Sequence, residues 1–468
     1  MTLYQELADQ FTAQIREGAL EAGERLPSVR QLCRERKVSP ATALRAYEHL
    51  ESQGLIETRP RSGYYVSLKL ARPPEPQRSK PRNRSTRVAV SELVFQILEA
   101  TRDRDVVPFG SAFPSPLLFP WPRLARQLGK AARRMDPWST VESLPNGSEE
   151  LRRQIARRYL RTGVRVDPEE IVITGGALEA LNLSLYAVTK PGDTVAVESP
   201  AFYAALQAIE AAGLQAVEIP THPREGVDLA ALEEAMGRHD IRACWLMTSF
   251  QNPLGATMPE EKKRALVALL QSRGIPLIED DVYGELYFGA ERPRPAKAFD
   301  AKGLVLHCGS FSKCLAPGYR VGWVAAGRHA PHIERRKIMT TLAASIPAQE
   351  GIALFMQQDG FEAHLATLRR SLALQQAALL GALRKHLPEG YRATRPDGGY
   401  FLWLELAPHV DALEVHRLAL EQGISIAPGP IFSARREFGN CVRLNYGHPW
   451  TARMDGAVAH LGRIVRAL

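Results

Sequence analysis

The sequence predicts an α/β main body that ends in a smaller α+β domain and is preceded by a compact helical module with a β-hairpin. Three observations predict this. From residue 105 onward, short apolar runs alternate with helix-like segments, the pattern of a sheet covered on both faces. Residues 1–69 show apolar residues at helical spacing and end in two short β-like runs. Between them lies LARPPEPQRSKPRNRSTRVAV (70–90), with four prolines and six bases against the single acid Glu75.

The chain has 468 residues, enough for two to four folding units at roughly 100–200 residues each. A hydrophobic content of 45% and a charged content of 24% exclude wholesale disorder, a collagen-like repeat and a disulfide-packed miniprotein. The net charge of +9 favours an acidic partner, with nucleic acid first. Cys33, Cys244, Cys308, Cys314 and Cys441 are scattered without a C-x-x-C, so inert thiols in a reducing cytoplasm are expected, with no metal cluster. The opening MTLYQELADQF is amphipathic and acidic, unlike a signal peptide. No apolar run reaches the ~18 residues of a membrane span. A cytoplasmic protein is the expectation.

In the N-terminal module, Leu3, Leu7, Phe11 and Ile15 mark one helix face, with Gly18 and Gly23 expected to end it. Ser28 is a candidate N-cap of a second helix bearing Val29, Leu32 and Cys33. Ser39 is placed to cap a third, with Pro40 at its first position. That helix is expected to bury Leu44, Tyr47 and Leu50 and to stop at Gly54. Leu55–Thr58, a turn at Arg59–Gly63 and Tyr64–Ser67 read as a hairpin. Between Ser28 and Arg45 the bases are Arg30, Arg34, Arg36, Lys37 and Arg45, against Glu35 alone. The module as a whole carries ten bases and nine acids, so its positive charge is focused there.

Leu26-Pro27-Ser28-x-Arg30-x-Leu32, Val38-Ser39-x-x-Thr42, Arg45-Ala46-Tyr47-x-x-Leu50 and Gly54-Leu55-Ile56 resemble the GntR-type winged helix-turn-helix. The resemblance implies binding to a double-stranded DNA operator. Its contacts would come from Ser28, Arg30, Ser39, Thr42 and Arg45, with Arg61 and Gly63 of the wing at the minor groove.

The body holds four telling segments besides the turn Thr174–Leu178, where Gly175-Gly176-Ala177 follow an apolar run. They are SFQNPLGAT with Asn252, LIEDDVYGELYF with Asp280, Asp281 and Tyr283, CGSFSKCLAPGYRVGW with Ser310, Ser312, Lys313 and Arg320, and CVRLNYG with Arg443. In this order and spacing they resemble fold-type I pyridoxal-phosphate-dependent aminotransferases over residues 105–468.

That resemblance implies pyridoxal 5'-phosphate as cofactor, Lys313 as its covalent anchor, and Asp280 as partner of the ring nitrogen, with Asp281 the fallback. Asn252 and Tyr283 would hydrogen-bond the phenolic oxygen. Gly176, Ala177, Leu178, Ser310, Ser312 and Arg320 would hold the phosphate. Phe202 would stack on the ring, with Tyr203 as alternative. Arg443, beside Asn252, would grip a substrate carboxylate. Two departures stand out: ESLPNGSEELR lacks the tyrosine many relatives lend to the neighbouring subunit's phosphate, and Ala112 stands where glycine is usual. They bear on that contact and on catalytic competence.

The expected division is therefore 1–69, a mobile basic tether 70–90, and the body 91–468. This order resembles the MocR branch of GntR-type transcription regulators. It implies a head-to-tail homodimer that senses a small amine or amino acid. The alternative is a working aminotransferase fused to a DNA-binding module.

Overall fold

The computed structural model describes residues 3–17, 20, 24–59, 62–67, 73–99, 105–358 and 360–468. The chain divides into two compact units, 1–74 and 75–468.

In the first unit, helices Leu3–Glu17, Val29–Arg36 and Pro40–Ser52 precede strands Ile56–Arg59 and Gly63–Val66, which pair antiparallel. Both predicted caps form: Ser28 and Ser39 are extended, and their hydroxyl oxygens accept from the Gln31 and Thr42 N–H groups. The core gathers Leu7, Phe11, Leu32, Ala46, Tyr47 and Leu50. Leu44, expected inside, is 41% exposed. Ala43, Ala46, Tyr47 and Leu50 already fill the buried face of that helix, and Leu44 falls one step off it. Gly54, with φ +68°, follows the helix end as expected. Gly18, Gly23 and Arg61 lie outside the described residues.

The second unit is built on a mixed sheet. Its strands run in the order Thr86–Arg87, Gln215–His222, Thr194–Ser199, Ile241–Leu246, Leu277–Asp280, Val305–Ser310, Gly322–Ala325 and Ile171–Thr174. The stretch from 215–222 through 305–310 is parallel, and Gly322–Ala325 enters antiparallel between its two neighbours. Two buried apolar clusters drawn from opposite faces of the strands explain why these segments read as unbroken apolar runs.

A 27-residue helix, Gly360–His386, leads to a second, antiparallel sheet. It contains Arg392–Ala393, Phe401–Glu405, Cys441–Asn445 and Ala427–Pro428, packed with helices Ala412–Glu421 and Ala452–Ala467.

The basic proline-rich stretch differs from the expected free tether. From Glu75 onward it runs along the large unit. Thr86 and Arg87 pair with the edge strand 215–222, Arg78 pairs with Asp228, and Val88 and Val90 are buried. Proline supplies no ladder N–H, so most of this attachment is made by side chains.

Candidate functional site

The parallel strands all end on one side of the sheet, and the chemically telling residues follow those ends. Gly176 comes after 171–174, Phe202 after 194–199, Asp280 closes 277–280, and Ser310 closes 305–310 with Lys313 one turn beyond. Loops at the carboxyl ends of parallel strands are where open α/β sheets hold ligands.

Asp280 and Asp281 are adjacent and both buried, yet they do opposite things. Asp281 Oδ2 pairs with Arg292 and with His307 Nε2 at 3.0 Å. The His307 ring in turn meets the Tyr159 hydroxyl at 2.6 Å. Although burial pushes the Asp281 carboxyl up, Arg292 and His307 prevail and hold it at about 2. Neither oxygen of Asp280 has a hydrogen-bond partner. Burial, helped by the Asp281 charge, raises its carboxyl to about 7; the Val282 N–H, which approaches without forming a well-aligned hydrogen bond, and Lys313 pull the other way. Asp281 thus belongs to the framework, and Asp280 is the group left open.

Lys313 donates to the Ala112 carbonyl at 2.8 Å, and its ammonium lies 3.8 Å from the centre of the Phe113 ring. Burial, then Arg443 and Arg320, lower its pKa to about 7, with Asp280 opposing. Its amine is therefore free to act as a nucleophile near neutrality.

Arg443 is fully buried. It donates to Asn252 Oδ1 at 3.3 Å and to the Gly110 and Ser111 carbonyls at 2.6 and 3.1 Å. Its guanidinium lies 4.2 Å from the centre of the Phe401 ring and 5.4 Å from that of Phe432. Its Nε, like Asn252 Nδ2, has no partner. The Tyr283 phenol is buried, with Tyr400 and Phe401 edge-on at 5.3 and 5.6 Å. Burial keeps it protonated well beyond neutral pH.

At the other end, Gly176 begins helix Ala177–Val188 with φ +99° and no side-chain cap. A Cβ there would come within 2.6 Å of Arg320, and one on Gly322 within 2.6 Å of the Gly176 carbonyl carbon. Only glycines allow so close an approach. Arg320 donates to Ser312 Oγ at 3.2 Å. The Ser310 hydroxyl accepts from the Ser312 N–H and donates to the Val321 carbonyl, so it shapes the turn. The first amides of a helix have no intrahelical partner, so those at Ala177 and Leu178 are available to an anion beside Arg320. Phe202 precedes helix Tyr203–Ala211, its ring 4.9 Å from that of Tyr203.

The large unit thus brings its predicted residues into one site. The sequence marked Ala112 only as a departure; that the Gly110, Ser111 and Ala112 carbonyls engage Arg443 and Lys313, and that Tyr400 donates to Ala112 at 3.1 Å, was not read from it. Tyr203 faces Arg443, whose charge opposes the upward push of burial on the phenol, rather than only offering a stacking face. No local signal marks these roles.

In the small unit, Ser28, Arg30, Ser39 and Arg45 are exposed and Thr42 half-buried along the second and third helices. Gly63 stands in the hairpin with φ +105°.

A buried carboxyl, a lysine of lowered pKa and the first amides of a helix beside Arg320 thus gather at the carboxyl ends of the sheet strands. Residues 129–461 match the family model for aminotransferase class I and II, and residues 3–66 match that for bacterial regulatory proteins of the gntR family. The chain belongs to the regulators that join these two domains, the MocR architecture. It is 48% identical, over 100% of its length and 99% of the relative's, to the HTH-type transcriptional regulator YdcR of Escherichia coli. YjiR of the same organism, also described as an HTH-type transcriptional regulator, is 38% identical over 99% of both chains.

Among solved structures, Pyrococcus horikoshii kynurenine aminotransferase, in complex with PMP, aligns with TM-score 0.75 and 29% identity. It covers 81% of this chain and 95% of that one. LysN of Thermus thermophilus, an α-aminoadipate aminotransferase complexed with N-(5'-phosphopyridoxyl)-L-leucine, aligns with TM-score 0.74 and 31% identity, covering 81% and 96%. Among the described residues, no helix is long and apolar enough to cross a membrane.

Proposed function

We propose that this chain is a DNA-binding transcription regulator that holds pyridoxal 5'-phosphate in the large unit and senses an amine or amino acid there. The observation that carries the reading is the unpaired, buried Asp280 carboxylate in one site with Lys313. A buried acid without a partner is costly unless a ligand supplies the missing donor. A pyridinium N–H is such a donor.

Bound pyridoxal phosphate supplies an aldehyde that captures amines and a ring that withdraws electrons. Lys313 would anchor it through its neutral amine. Asp280 would hold the proton on the ring nitrogen, Asn252 Nδ2 and the Tyr283 hydroxyl would donate to the phenolic oxygen, and Phe202 would cover one face. The amides at Gly176, Ala177 and Leu178, with Ser312 and Arg320, would bind the phosphate, and Ser310 would fix their turn. Arg443 would exchange the Gly110 and Ser111 carbonyls for the carboxylate of an amino acid.

On the DNA side, Arg30 and Arg45 would hold phosphates, while the Ser28 hydroxyl and the Ser39 and Thr42 hydroxyls, which share a hydrogen bond at 2.8 Å, would face the groove and backbone. Trp138, Val141, Met339 and Leu178 are 69%, 58%, 74% and 47% exposed, which supports a homodimer through this face of the large unit. A DNA target places the protein in the cytoplasm.

The test is a titration of the purified protein with pyridoxal phosphate and then with single amino acids. Cofactor absorbance and affinity for DNA upstream of its own gene are followed together, and a keto acid is added last. An absorbance response with altered DNA affinity and no turnover supports the sensor. Turnover without any change in DNA affinity shows instead the fused enzyme.

A further inference from the structure

Residues 75–89 are bound to the large unit by side chains that reach two loops of the ligand site. At one end, Ser79 Oγ donates to the Ser199 carbonyl at 2.5 Å and accepts from the Thr221 N–H at 2.9 Å. Ser199 closes its strand, and Phe202, read above as the ring-stacking residue, follows three residues on. At the other end, Arg435 donates to Thr86 Oγ1 at 3.0 Å and to the Arg84 carbonyl at 3.1 Å, and Arg436 donates to the Ala89 carbonyl at 3.4 Å. Arg435 lies three residues after Phe432, whose ring meets the Arg443 guanidinium and whose carbonyl accepts from the Ala201 N–H at 2.8 Å. That segment also holds Arg436 at φ 58° and Phe438 at φ 64°, left-handed conformations that side chains other than glycine adopt only under constraint.

We propose that residues 75–89 are a docked strap whose hold on the large unit is set by the loops bearing Phe202 and Phe432, so that a ligand held at Arg443 changes how much of the chain after the DNA-binding module the large unit holds. The proposal rests on the function proposed above and adds its route of regulation. Its effect follows from chain length. With the strap docked, the eight steps from Ser67 to Glu75 span at most about 27 Å, and with it released as far as Val88 the reach is about 70 Å. Tether length sets the effective concentration at which a second linked module meets its half-site. A ligand shifts the docked fraction only by binding the two states unequally, and Arg443 and Phe432 are where that inequality would arise.

Hydrogen exchange of the full-length protein, loaded either with pyridoxal phosphate or with N-(5'-phosphopyridoxyl)-L-leucine, tests this. Exchange over residues 77–88 should differ about tenfold between the two states, within the usual range of coupling between sites. Ser79→Ala and Arg435→Ala should each make that segment exchange fast in both states while leaving cofactor absorbance unchanged. A strap with equal exchange in both states, in a protein whose peptides around Phe202 and Arg443 do respond, overturns the proposal and leaves the function standing. Protein that binds neither compound overturns both.

Discussion

The small and the large unit present their polar groups in opposite ways. On the second and third helices, Arg30, Arg34, Arg36, Lys37 and Arg45 are exposed, and none has an ion-pair partner among the described residues. At the strand ends of the large unit, Asp280, Asn252 and Arg443 are buried with polar atoms left unpaired. A surface that meets a polyanion keeps its cations solvated and gains by releasing counterions. A pocket that meets a small molecule keeps desolvated groups whose missing bonds the ligand completes. Substituting the exposed bases of the first region should therefore change binding without stability. In the second, some should change binding and others stability.

The largest effect is expected at Lys313. Lys313→Ala protein should take up no covalent cofactor, read as the loss of its absorbance band and of the added mass after borohydride reduction, with circular dichroism unchanged. Because the Lys313 amine is lowered to about 7, it is neutral above that pH. The rate of cofactor attachment to the parent should climb with pH and level off above about 7, well below where an ordinary lysine would. A profile still rising at pH 9 would remove the burial and cation effects ascribed to the site.

Next come the adjacent acids, which sharpen the contrast inside one pocket. Asp281→Asn breaks a buried pair with Arg292 and His307 and should cost about 3–5 kcal/mol in denaturant unfolding. Asp280→Asn removes a carboxyl that burial already pushes up to about 7, so stability should be unchanged or higher while the cofactor's response to amines is lost. Matching losses of stability would erase the distinction between framework acid and site acid.

Smaller effects belong to the surface. Arg30→Ala and Arg45→Ala should each weaken DNA binding by about tenfold and reduce the salt slope by about 0.9 per lost phosphate contact. The melting temperature should stay put, and a drop in it would mean these arginines hold the fold. The least effect is expected for Ser39→Ala, which removes the cap on Pro40–Ser52 and should cost about 1 kcal/mol of stability.

Much of this protein was legible in the sequence because it is local. Caps at Ser28 and Ser39, the glycine at Gly176 and the placement of Asp280 and Lys313 at strand ends depend on residues within a turn or two of each other. Backbone hydrogen bonding and side-chain spacing act over that range. What only the tertiary structure decided involves partners far apart in the chain. Asp280 and Asp281 look alike until His307 and Arg292 claim one of them. Arg443 meets the carbonyl of Gly110, 333 residues away, and the proline-rich stretch reads as a tether until Ser199 and Arg435 hold it. Leu44 was misplaced for the same reason: spacing names a helix face, and packing against neighbouring elements decides how wide that face is.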